Sequence, residues 1–305
     1  MIDSKTSRLF RGIAILMVIG SHYAAAMYVE PVRLFAKEFV STLGIYGVDI
    51  FFMLSGYGLV KSALKNGVNK EFVLRRFLNT YVPYLLVIGF FSIVDKSITN
   101  IQDLFKFLAG LDYWYMNVIF IIYILFMIVY KIDKFRVILI TIAIIGFCVF
   151  LYNYGRADFW FISNGAFLVG IYGAELENKF GLKVQEWIKK INLFTISVAL
   201  TVIGWFIYTS SGELWAHVFT SVCFSIVMFS LCVQFEGGGI ILPSIGRYSL
   251  YIYLLHLRLF WKIVMIKPEM NYALNAAIAG VVTIVVCIAL GFAIEWNLNR
   301  LFKKK

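Results

Sequence analysis

Charge is scarce in this chain. Asp, Glu, Lys and Arg make up 15% of its 305 residues, while 61% are hydrophobic and 18% aromatic. Soluble domains hold roughly 45–50% apolar residues, so the balance excludes an ordinary water-soluble globule and predicts an all-α, polytopic membrane bundle. Cysteine is equally sparse. Cys148, Cys223, Cys232 and Cys287 all fall in apolar stretches and share no metal-ligand spacing with the three histidines. That excludes a disulfide framework, gives no reason to expect a metal and leaves the four as apolar fillers. Low-complexity tracts, internal repeats and a soluble domain are missing too. One transmembrane domain is therefore expected over 1–305, its chemistry carried by the spans and their short connections.

What the chain does have is a series of apolar runs near the twenty or so residues that cross a bilayer core. Ten are read: Arg8 to Tyr28, Val40 to Val60, Leu78 to Val94, Tyr113 to Tyr130, Val137 to Tyr152, Phe159 to Ala174, Leu193 to Thr209, Trp215 to Val233, Tyr248 to Ile266 and Ala273 to Ile294. The fifth and sixth hold only sixteen residues each, as tilted neighbours or a hairpin would.

The net charge of +11 raises the question of nucleic acid, but its distribution answers for membrane topology. With the amino end inside, twenty of the 28 Lys and Arg residues fall on inner segments and eight on the outer side, Arg258 and Lys262 included. By the positive-inside rule both termini are expected in the cytoplasm. The amino end also has the look of a secretory signal, with Ala24-Ala25-Ala26 as a cleavage site, although His22 and Tyr23 fit that poorly.

Arg11 and His22 share the first run. Eleven positions at about 100° each leave the two within about 20° of one helix face and about 16 Å apart along the axis. An ionisable group at bilayer depth defaults to a functional reading, with a helix-end anchor and an interfacial histidine as the bland one. Asp49 lies in GVDIFFMLSGYGL at a depth within about 5 Å of His22. A carboxylate on one imidazole nitrogen would make His22 a general base; the alternative is a polar clasp between helices. Gly44, Gly47, Ser55, Gly56 and Gly58 allow close packing either way.

Arg75 and Arg76 precede Pro83 in an inner loop, as phosphate ligands or as ordinary positive-inside markers. Ser249 and His256, seven apart, again share a face. Arg258 and Lys262 are expected to snorkel outward, His217 to be an interfacial or satisfied structural residue, and Glu295 to pair with a basic residue.

Taken in order, RLFRGIAILMVIGSH, GVDIFFMLSGYGL, LRRFLNTYVPYLL, DYWYMNVIF and GRYSLYIYLLH resemble the membrane-bound acyltransferase family often called acyltransferase 3, over nearly the whole chain. The resemblance implies an O-acyltransferase that moves an acyl group, acetyl first among them, from cytosolic acyl-CoA to a hydroxyl of a surface polysaccharide or lipid-linked glycan, at the plasma membrane and without a metal. It implies His22 and Asp49 as catalytic residues and Arg11, Arg75 and Arg76 as acetyl-CoA-binding residues. Ser249, His256, Trp114 and Tyr115 would form a candidate acceptor or oxyanion site. Asn79 and Thr80 depart from the pattern, standing where the family commonly has another Arg. Tyr28, Tyr113, Trp160 and Trp215 lie near the outer face as well, as sugar platforms or as an interfacial belt. The rival readings are a transporter or flippase using the buried His, Asp and Arg groups, and a scaffold for glycan export. Neither explains basic residues gathered beside an Arg-to-His track, and the symmetry common in transporters is not visible.

Overall fold

The computed structural model describes residues 1–26, 33–132, 134–181, 183–235, 238–264 and 272–302. Tyr28, the far end of the ninth span at Ile266, Lys267 and Lys303 to Lys305 lie outside the described residues. Among the described residues there is no strand. The helices are α1 (Ser4–Ala26), α2 (Arg33–Asn66), α3 (Lys70–Arg76), α4 (Val82–Val94), α5 (Ile101–Ala109), α6 (Trp114–Val129), α7 (Arg136–Asn153), α8 (Asn164–Phe180), α9 (Lys183–Lys190), α10 (Leu193–Ser211), α11 (Leu214–Gln234), α12 (Ile241–Arg247), α13 (Ser249–Val264) and α14 (Tyr272–Phe302).

Seven helical segments among the described residues are long and apolar enough to cross a membrane, or eight if the bent pair α5 and α6 counts as one span. This is fewer than the ten apolar runs. The first and ninth runs are helical too, as α1 and α13, and each leads into residues outside the described ones. The two short runs prove longer: α7 has 18 residues and the sixth span, Asp158–Phe180, has 23. The third starts earlier, at Lys70, because the supposed loop containing Arg75 and Arg76 is helical. Pro83 cannot donate to the carbonyl four residues back, and its ring crowds that turn. The chain answers with a π-turn over Phe77–Tyr81, and the helix continues through Pro83.

Contacts divide the chain into two compact units, the first comprising Met1–Asp3, Val48–Tyr81 and Lys96–Glu236, the second Ser4–Gly47, Val82–Asp95 and Gly237–Lys305. In the first unit α10 packs along α11, and α8 against α7 and α11. Lipid gives helices no hydrophobic reason to associate, so close van der Waals approach has to supply it. Gly56 and Gly170 provide that approach, since a Cβ on either would collide with a backbone carbonyl, of Phe167 and Met53 respectively. The acidic end of α8 is neutralised within the same unit. Arg136 donates to Glu175 at 2.9 and 3.1 Å, joined by the Tyr130 hydroxyl, while Lys61 and Tyr57 reach Glu177 at 3.1 and 2.5 Å.

The turn from α5 to α6 bends by 66°. Its four terminal carbonyls are all satisfied: Leu111 N–H donates to Lys106 at 2.9 Å, Gly110 N–H to Phe107 at 3.0 Å, the Tyr81 hydroxyl to Leu108 at 2.8 Å and the Asn117 amide to Ala109 at 2.8 Å. Gly110 makes the corner by taking φ +71°, a left-handed conformation that costs glycine little.

In the second unit α1 packs on α12 and α13, and α13 on α14 and α4. Gly12 faces the Leu242 carbonyl and Gly246 the Arg8 carbonyl, so α1 and α12 touch backbone to backbone. Arg247 donates to Glu295 at 2.8 and 3.2 Å, the partner expected for that glutamate. Arg258 forms an ion pair with Asp95 and lies with Lys262 over the Phe91 ring.

Candidate functional site

Arg11 and His22 lie on one uninterrupted helix, α1, and both are half-buried. The buried stripe of α1 runs through Ala14, Ile15, Val18 and Ile19, the spacing of a helix face packed against protein. Near the top of that helix the His22 ring meets the ring of His256 on α13, with centroids 5.2 Å apart and planes tilted by 39°. The structure thus joins two histidines that the sequence placed on separate helices. His256 is 1% exposed. Its Nδ1 sits 2.7 Å from the Tyr253 carbonyl and 3.1 Å from that of Ile252. Carbonyls only accept, so Nδ1 carries the hydrogen and Nε2 a lone pair. In this tautomer His256 offers no N–H to an oxyanion, which argues against that half of the role suggested for it. Ser249, the first residue of α13, is buried.

Asp49 is fully enclosed in the first unit. Its Oδ1 accepts a 2.8 Å hydrogen bond from the Ser221 hydroxyl on α11, which also lies 3.2 Å from the Ile162 carbonyl. Its Oδ2 has no hydrogen-bond partner among the described residues. Ser221 was not anticipated. A signal was present, because α11 buries Thr220, Ser221, Ser225 and Ser230 along one apolar helix, and small hydroxyl residues mark helix contacts in membranes.

Arg75 is exposed and donates to the Glu71 carbonyl, whereas Arg76 is half-buried with its guanidinium over the Phe72 ring at 5.3 Å. Adjacent helical positions point about 100° apart, so the two do not form a single fork. Arg76 also lines a cavity of about 750 Å³ whose walls include Phe77, Tyr81, Phe105 and Phe120, and among the described residues it is the one charged side chain there. Trp114 and Tyr115 open α6, and both are half-buried. The Trp114 ring meets Phe159 edge-on at 5.3 Å, and Tyr115 meets Phe52 at 5.4 Å. Trp160 is buried beneath the Arg156 guanidinium rather than displayed. His217 is not satisfied by hydrogen bonds. It is buried, stacked on Tyr208 at 4.0 Å, and neither ring nitrogen has a hydrogen-bond partner among the described residues.

Comparison with known families finds one match: the family model of the acyltransferase domain, acyltransferase 3, covers residues 7–292. No curated protein and no solved structure matches the chain.

Proposed function

The chain belongs to the acyltransferase 3 domain family and is a multi-pass membrane acyltransferase; from that premise we propose that it transfers an acetyl group from cytosolic acetyl-CoA to a hydroxyl of a cell-surface polysaccharide or lipid-linked glycan at the plasma membrane. The observation that carries this reading is α1 itself, one unbroken helix that keeps a guanidinium and an imidazole on one face three turns apart. About 16 Å is comparable with the reach of a pantetheine arm. Arg11, Arg75 and Arg76 are assigned to the nucleotide phosphates, which favour planar guanidinium donors. With both termini in the cytoplasm, as the distribution of basic residues favours, those arginines lie on the side where acetyl-CoA is found.

In the reaction, the acceptor hydroxyl oxygen attacks the thioester carbonyl while His22 takes the hydroxyl proton. The C–O bond forms, the C–S bond breaks as the tetrahedral intermediate collapses, and the departing thiolate recovers the proton from His22. Asp49 is proposed as a second catalytic residue and Ser249 as a donor to the oxyanion. Trp114 and Tyr115 are offered as the platform for the acceptor sugar.

The test is thermal stabilisation of the purified protein by acetyl-CoA compared with acetyl-pantetheine. Acetyl-CoA at 100 times its dissociation constant should stabilise by about 2.7 kcal/mol. Acetyl-pantetheine, which has no nucleotide phosphates, should do far less. Equal stabilisation by both would remove the phosphate-binding assignment.

A further inference from the structure

His256 has a lone pair that nothing uses. Its Nδ1–H is tied to its own helix, and its Nε2 is enclosed with no hydrogen-bond partner among the described residues. A buried acceptor left without a donor is destabilising, and the ring beside it is that of His22, with centroids 5.2 Å apart. Two imidazoles joined by an N–H···N bond of about 2.9 Å, with about one ångström of ring on either side, have their centroids at about this separation.

We infer that His256 is the positioning residue of His22. Its Nε2 accepts the N–H of one His22 ring nitrogen and so fixes the tautomer in which the other nitrogen is a free base. The inference rests on the proposed function in one respect: the base being positioned is the one that takes the acceptor hydroxyl's proton. The backbone carbonyls of Ile252 and Tyr253 complete the relay by fixing His256 in turn. This is the arrangement by which an oriented imidazole becomes an effective base, with a second imidazole in place of the usual carboxylate.

The chain has only three histidines, so the full-length protein labelled with 15N-histidine in nanodiscs gives a spectrum that His217→Phe helps to assign. The wild type should show His22 with one ring nitrogen protonated, the other bare, and a scalar coupling across the hydrogen bond to His256 Nε2. His256→Leu should leave His22 averaging between tautomers. Averaging already present in the wild type, or His22 signals unchanged by His256→Leu, would overturn the inference. Kinetically, His256→Leu should lower kcat by about 10²-fold with KM for acetyl-CoA unchanged. His256→Gln, whose amide oxygen supplies an acceptor near the Nε2 position, should recover at least tenfold of that loss, on the order of half its logarithm. Equal losses in the two variants would reduce His256 to a packing residue. The tautomer measurement needs no turnover, so a locked His22 in a protein that transfers no acyl group would sink the proposed function and leave this inference standing.

Discussion

Helices α10 and α1 are two different kinds of membrane helix. The span Leu193–Ser211 has a mean hydropathy of 1.7, and only 11% of it is buried in protein. Ile196, Leu200, Val202, Ile203 and Phe206 are all exposed, as befits a segment whose neighbour is lipid. Helix α1 carries Lys5, Arg8, Arg11 and His22, and buries a stripe of its residues in protein. An exposed apolar surface therefore marks contact with hydrocarbon, and ionisable residues on a helix that packs against protein mark where chemistry is sought.

The comparison breaks first at His22. His22→Ala should lower acyl transfer by about 10²- to 10⁴-fold, followed with radiolabelled acetyl-CoA in membrane vesicles, while insertion and yield stay normal. Near-normal transfer would leave α1 as an unusually polar scaffold. The opposite experiment places a charge on α10: Ile203→Lys should cost about 2.5–3.5 kcal/mol of insertion free energy, read by glycosylation mapping. Arg11→Leu should leave insertion intact and abolish the preference for acetyl-CoA over acetyl-pantetheine, so equal insertion defects at the two positions would erase the distinction between the helices. A smaller effect is expected where polarity is enclosed. Ser221→Ala leaves Asp49 Oδ1 without its donor and should destabilise by about 1–3 kcal/mol in detergent thermal unfolding, with Ser221→Thr closer to wild type. Smallest is Glu295→Gln. Arg247 and Glu295 are 50% and 28% exposed, so solvent screening holds their contribution below about 1 kcal/mol.

Much of this architecture is legible from apolar runs, and the places where it is not have physical reasons. Arg75 and Arg76 lie outside the third apolar run, yet they continue its helix because long cationic side chains keep their heads in a polar region while their stems stay in the helix. Glu175 and Glu177 likewise belong to α8, because each has a cationic and a tyrosine partner. Helix α5 falls between the third and fourth apolar runs and is too short to stand out by length, although Ile101, Leu104, Phe105 and Leu108 have the helical period on one face. At the site, the shared face of Arg11 and His22 follows from local periodicity, which a single helix settles. The meeting of His22 with His256, and of Asp49 with Ser221, depends on which helices become neighbours. Periodicity within a helix contains nothing of that kind.

The corner between α5 and α6 has a consequence for where this part of the chain can reside. Backbone that turns through hydrocarbon ordinarily forfeits hydration it cannot replace, which is why irregular chain at membrane depth survives only when protein supplies the missing bonds. Here a tyrosine hydroxyl, an asparagine amide and two main-chain amides stand in for that water. The hook they close is able to end in oil as readily as at an aqueous boundary, and its depth in the bilayer is set by its side chains rather than by any thirst of its carbonyls.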